Sequence, residues 1–187
     1  MSEKSKFPDR FITTQFIPYI KASEVEAVVE SLANTIEQKY AGQELYVICV
    51  LKGSMIFTAD LIRKLKTVKV YLDFVKLKSF GRDKESSGTI SFSKDIGVNL
   101  QDKNVIIVEE IIDTGRALSF LKNRILQCQP KNLEIISLFD KPYKRAVPIK
   151  ADFIGKKIDD QFIVGYGLDL EEYGRNLQDI YFLKYPN

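Results

Sequence analysis

An apolar run, Val105-Ile106-Ile107-Val108, ends on two adjacent carboxylates, Glu109 and Glu110, and after Ile111-Ile112 come Asp113, Thr114 and Gly115. Residues of these types at this spacing can do two kinds of chemistry. Neighbouring carboxylates repel, so Glu109 and Glu110 are costly unless a cation or hydroxyl donors answer them. Asp113-Thr114-Gly115-Arg116 opens a helical pattern. Backbone N–H groups at such a turn, with the Thr114 hydroxyl, make an anion site helped by the helix dipole. Together the segment points to a phosphorylated, metal-bound substrate. The plainer reading is a solvated acidic turn in which Asp113 or Thr114 only caps the next helix. On the residues alone, both readings stand.

The remaining composition narrows the chemistry. The chain has 187 residues and no histidine. That excludes Ser-His-Asp and Cys-His catalysis and any His-ligated metal. A general base must be a carboxylate, lysine, tyrosine or cysteine. A metal must be held by oxygen, which favours magnesium or manganese over zinc. Cys49 and Cys128 lie too far apart for a metal-ligand spacing, and Cys49 sits in an apolar run, as a buried reduced thiol would. Net charge is +3, too small to argue for nucleic-acid binding. No run is long enough for a membrane span, and Met1 to Arg10 is polar, unlike a signal peptide, so the cytoplasm is the expected location.

The elements that must position these residues are legible as alternating strands and helices. Val25, Val28, Val29, Leu32 and Ile36 recur at helical spacing after a Ser23/Glu26 capping-box pattern, predicting a helix from about Ser23 to Lys39. Leu45 to Leu51 reads as a buried strand, broken by Lys52-Gly53-Ser54, and Met55 to Leu65 as a helix. Strands are expected at Val68 to Leu77, Asn104 to Val108 and Leu133 to Phe139, with a helix from the acidic turn to about Gln127. Asp152 to Gly155, Phe162 to Tyr166 and Asp179 to Lys184 are shorter strand candidates. Lys78 to Thr89 is polar and Gly-containing and reads as a long functional loop. This order predicts an α/β fold with a parallel sheet of the doubly wound kind. Ligands bind such sheets at the carboxyl ends of the strands, where three polar breaks fall: Lys52-Gly53-Ser54, Glu109 to Gly115, and Asp140-Lys141. Neither GxGxxG nor GxxxxGK[ST] is present.

The segment Val108 to Arg116 resembles the phosphoribosyl-pyrophosphate signature of type I phosphoribosyltransferases, and most closely that of their hypoxanthine-guanine branch. Val50-Leu51-Lys52-Gly53-Ser54 resembles that family's pyrophosphate loop, and Leu77 to Gly81 the start of its flexible lid. Asp152 to Gly155, Phe162 to Asp169, then Glu172-Tyr173 and Arg175 are similar to its purine-binding end. Five motifs in order over residues 10 to 184 are far more specific than any one of them.

The resemblance implies a twisted parallel sheet flanked by helices (a core of about 23–157) under a small hood from about 1–22 and 158–187, in a single domain. A lid would span about 78–90, with Ser79 and Phe80 in it. Glu109 and Glu110 would face the ribose hydroxyls and a magnesium on them, and Asp113 would exchange a proton with the purine N7. Thr114, Gly115, Arg116, Ala117 and Leu118 would cradle the 5′-phosphate. Lys52 and Gly53 would meet the pyrophosphate, through a cis peptide common in this family, and Arg175 would reach it too. Lys141 would donate to the 6-oxo group, Phe162 would stack on the purine and the Ile163 main chain would meet its edge. Asp169 would hold a second magnesium. The implied activity is transfer of a phosphoribosyl group to hypoxanthine or guanine in purine salvage, by a homodimer or homotetramer that binds neither nucleic acid nor membrane. Xanthine is the alternative base. A donor such as Lys141 suits an oxo group and not the exocyclic amine of adenine.

The chain departs from the family pattern twice. Glu109-Glu110 stands where Glu-Asp is usual, moving the second carboxylate out by one methylene, and Phe80 stands where tyrosine is common. A rival of another class, a ligand-sensing regulator of transcription, would need a basic helix-turn-helix, for which the first 22 residues are too few.

Overall fold

The computed structural model describes residues 15–79 and 90–184. The chain runs through β1 (Gln15–Ile20), α1 (Ala22–Tyr40), β2 (Glu44–Leu51), α2 (Met55–Lys64), β3 (Lys69–Ser79) and β4 (Ile90–Lys94). It continues through β5 (Asn104–Ile112), α3 (Arg116–Leu126), β6 (Asn132–Asp140), β7 (Phe153–Lys157), β8 (Ile163–Val164) and β9 (Ile180–Lys184). A larger sheet has the order β4-β3-β2-β5-β6-β7, and a smaller one the order β1-β9-β8.

The apolar runs are continuous because both faces of the larger sheet are covered. Along β5 the side chains alternate. Ile106 and Val108 pack with Val47, Ile136 and Leu138 beneath α1 and α2. Val105 and Ile107 pack on the other face with Ile48, Val75 and Ile135 beneath Leu118, Leu121 and Ile125 of α3. The α1 face is close-packed at Gly155 of β7, where a Cβ would lie 2.5 Å from Val28 and 2.6 Å from the Leu138 carbonyl oxygen.

Four expectations need correction. The larger sheet is parallel except for β4, which pairs antiparallel with β3 at one edge. Ile90 and Phe92 alternate with Ser91 and Ser93, but five residues with a mostly half-buried face carry too weak a pattern to stand out. Second, β5 does not stop at Val108. β6 keeps pairing with it as far as Ile112–Asp140, so Glu109 and Glu110 are strand residues and the turn begins at Asp113. Third, Ser23 lies inside α1, whose N-cap is Lys21. No local side chain caps the helix; instead Asp179 Oδ1, from the far end of the chain, accepts the Ala22 N–H at 2.7 Å. Fourth, the strand expected over Phe162 to Tyr166 shrinks to Ile163–Val164, because Tyr166 turns out of it with a φ of +49°.

The smaller sheet joins both ends of the described chain: β1 pairs antiparallel with β9, and β9 with β8. Phe80 and the loop residues 81–89 lie outside the described residues, and of Ser79 only the backbone is placed, paired with Ile90.

Candidate active site

The three polar breaks meet at the carboxyl ends of β2, β5 and β6. At the first, the Leu51–Lys52 peptide is cis, and Gly53 is pressed against Glu110. A Cβ on Gly53 would stand 1.9 Å from Glu110 Oε1, so only glycine admits the carboxylate at that distance. On the other side, a Cβ on Gly167 would stand 2.0 Å from the Gly53 carbonyl oxygen, and Gly167 itself has a φ of +99°. Gly53 is thus held between an acid of β5 and the loop after β8.

Glu109 and Glu110 sit at the end of a strand whose preceding four residues are buried. Burial, and then the charge of Glu110, pushes the Glu109 carboxyl well above the usual range. Burial also raises Glu110, against the pull of Arg175. Glu110 Oε2 and Asp113 Oδ1 are buried without a hydrogen-bond partner, as is Arg175 Nε. Buried polar atoms are nearly always paired, so each of these three orphans has the capacity to take a polar partner.

Beyond Asp113 the chain turns through Gly115, with a φ of +79°, into α3. No side chain caps this helix, and Arg116 N reaches only Thr114 Oγ1 at 3.4 Å. Thr114, Arg116 and Ala117 are exposed, while Leu118 anchors the first turn in the core. An open helix N-terminus with an adjacent hydroxyl is an anion site.

Lys141, expected of a surface position by type alone, is 5% exposed. Its Nζ donates to the Gln161 carbonyl at 2.6 Å. Burial lowers its pKa, and the charge of Asp113 works against that. Asp113, Lys141, Phe162, Ile163 and Asp169 line one cavity of about 370 Å³, with Ile111, Leu168 and Glu171. Phe162 is 50% exposed, its ring free to take a planar ligand.

Asp169 is turned toward Arg175, with 2.9 Å between Oδ1 and Nη2, while its Oδ2 accepts the Glu172 N–H at 2.8 Å. Arg175 Nη1 donates to the Gly167 carbonyl at 2.8 Å. Glu172 bridges Lys52 Nζ, at 2.7 Å, and Arg175 Nη2, at 2.9 Å, and these two partners hold its carboxyl down at about 2.

Two residues escaped the sequence reading. Arg145 donates to the carbonyls of Ile112 (2.8 Å) and Asp113 (2.5 Å) and is ion-paired with Asp140, fixing the backbone that carries Asp113. Lys144 reaches Asp160 at 2.7 Å and Asp113 at 3.7 Å. The signal was the cationic run after Lys141-Pro142, which reads as solvated surface until the fold turns it back on β5.

Residues 20–171 match the phosphoribosyl transferase domain family. The chain belongs to the phosphoribosyltransferase family. Among relatives, it is 38% identical to a hypoxanthine-guanine phosphoribosyltransferase of Aquifex aeolicus over 88% of this chain and 93% of that protein. It is 37% identical to one of Staphylococcus aureus over 86% and 89%. Among solved structures, a hypoxanthine-guanine phosphoribosyltransferase of Bacillus anthracis with a HEPES molecule in the active site superposes with a TM-score of 0.83, at 44% identity over 88% of this chain and 96% of that one. A hypoxanthine phosphoribosyltransferase of Staphylococcus aureus gives 0.85, at 35% identity over 91% and 94%. The phosphoribosyltransferase fold accounts for the arrangement: the larger sheet brings acid groups to its strand ends, and the loop after β8 of the smaller sheet lies against them.

Proposed function

We propose that this chain transfers the phosphoribosyl group from phosphoribosyl pyrophosphate to N9 of hypoxanthine or guanine, releasing pyrophosphate. The observation that carries this reading is the buried Lys141 facing Asp113 and Phe162 across one cavity, beside the uncapped N-terminus of α3. The amides and hydroxyl of Thr114 to Leu118 take the 5′-phosphate. The purine lies on Phe162, with its edge at the Ile163 main chain and its 6-oxo oxygen accepting from Lys141. As the C1–O bond breaks, positive charge grows on the ribose and negative charge on the departing pyrophosphate. Lys52, the Gly53 amide and Arg175 answer the latter. N9 forms the new bond, and Asp113 takes the proton from N7, its Oδ1 being buried and unpartnered.

The donors fit magnesium. They are carboxylate oxygens, and Glu110 Oε2 is buried and unpaired. Among the described residues no three Asp, Glu, Cys or His cluster around a common point. Magnesium is commonly held by one or two carboxylates plus substrate oxygens, so Glu109 and Glu110 would hold one ion and Asp169 a second. When bound, it neutralises charge on the pyrophosphate oxygens. The lid at about 78–90, with Ser79 and Phe80, belongs to the same reading and would exclude water from the ribose.

No helix among the described residues is long and apolar enough to cross a membrane. A cytoplasmic homodimer or homotetramer completes the proposal, on the family resemblance. The test mixes protein, magnesium, phosphoribosyl pyrophosphate and one base at a time, and follows nucleotide and pyrophosphate. Hypoxanthine and guanine should react and adenine should not. Absence of product with hypoxanthine, guanine and xanthine alike would overturn the proposal.

A further inference from the structure

The two cations assigned to the departing pyrophosphate face an anion of the chain itself. Lys52 Nζ donates to one oxygen of Glu172 at 2.7 Å, and Arg175 Nη2 to the other at 2.9 Å. One carboxylate thus spans the end of β2 and the loop after β8, with an oxygen on each cation, as two phosphate oxygens would. The backbone is shaped to present it. Leu170 and Tyr173 exchange both backbone hydrogen bonds at 2.9 Å across Glu171 and Glu172, whose φ values are +48° and +71°. Two-residue turns with both central residues at positive φ favour Asn and Gly, so a glutamate at 172 is held there against its backbone preference. Its carboxylate is held by Lys52 and Arg175, and its backbone N–H by Asp169 Oδ2 at 2.8 Å. With Asp169 on Arg175, the group is two cations and two anions.

We propose that Glu172 is a built-in competitor for pyrophosphate: its carboxylate occupies Lys52 and Arg175 in the free protein, swings out when the ligand binds, and returns to help expel the product. The proposal rests on the reading of Lys52 and Arg175 as pyrophosphate ligands. Exchange is easy because the Glu172 side chain is 63% exposed and meets water when it leaves. Each exposed ion pair is weak, whereas a multiply charged pyrophosphate binds both cations at once. Glu172 acts on the ligand through the two cations and is a positioning residue.

The experiment is calorimetric titration of the full chain with inorganic pyrophosphate, with and without magnesium. Glu172→Gln should bind pyrophosphate about 3- to 10-fold tighter, the scale set by two exposed ion pairs. Pyrophosphate should inhibit its turnover more strongly by the same factor. Glu24→Gln, an equal loss of charge on α1, should not change the affinity. Equal or weaker binding by Glu172→Gln, with wild type binding normally, would overturn the competitor role alone. Failure of wild type to bind pyrophosphate would overturn the functional reading and this proposal with it. The side chain is exposed, so coincident thermal melts of wild type and variant should show that the fold is unaffected.

Discussion

Gly53 and Gly167 show how much of the site is set by side chains that are missing. Gly53 lets the Glu110 carboxylate reach the β2–α2 turn, and Gly167 lets the loop after β8 lie on the Gly53 carbonyl. Gly167→Ala would place a Cβ 2.0 Å from that carbonyl at a φ of +99°. We expect a loss of about 1–3 kcal/mol in stability from the forced backbone shift. Turnover should fall at least about tenfold, because a displacement near 1 Å disturbs a positioned contact. Denaturant melts and steady-state rates check both. Asp113→Asn keeps the shape and removes the proton acceptor, so kcat should fall by roughly 10²–10⁴-fold with the fold intact. An unchanged rate would move the acceptor elsewhere.

At the scale of elements, β3 and β4 flank residues 80–89, and Asp73 ties them together. Its carboxylate accepts from Lys94 Nζ at 2.9 Å, Gly97 N at 2.6 Å and Phe74 N at 2.7 Å. Burial pushes the Asp73 carboxyl up, but these hydrogen bonds outweigh it and leave the group below its ordinary value. A carboxyl depressed in the folded state contributes stability above its unfolded pKa of about 3.9, and that stability is lost as pH falls through the lower folded value. Asp73→Asn should therefore cost about 1–3 kcal/mol at neutral pH. The gap from wild type should close below about pH 4, as denaturant melts across pH would show. A gap that persists in acid would assign the loss to packing instead. Most other elements were legible to within a few residues. α1, α2 and α3 follow from helical spacing, and β2, β5 and β6 from apolar runs, because both signals are local. β1, β4 and the end of β5 were not, since each is decided by a neighbouring strand: β9 for the first, β3 for the second, β6 for the third.

At the scale of the whole molecule, the smaller sheet shares an apolar core with α1 and α2 through Ile20, Ile163 and Ile180, and long-range polar contacts to the same two helices fix its place. Asp179, beside β9, caps α1 at Ala22 and pairs with Lys21 at 3.4 Å. Tyr166 donates to Asp60 of α2 at 2.7 Å. Asp179→Ala removes the only side-chain cap described for α1, so thermal unfolding should begin a few degrees lower. Because that cap also positions the smaller sheet, the Michaelis constant for the purine should rise more than kcat falls. The opposite split would mean that the cap serves only the helix.

The sequence by itself determined the chemical repertoire and the alternation of strands and helices through the middle of the chain. A chain without histidine leaves carboxylates and lysines to handle protons and oxygen ligands to hold a cation. Strand-end acids and a glycine turn before a helix raised a phosphate site as one of two readings. Only the tertiary structure decided which groups meet. Lys141 is buried because Gln161 and the loop around it close over the end of β6, and no local pattern distinguishes such a lysine from a surface one. Lys52 and Glu172 lie 120 residues apart and touch because the second sheet folds back over the first. Periodicity reports which face of an element is apolar. Which polar ends are brought together depends on how the chain closes on itself, and that is a property of the packed whole.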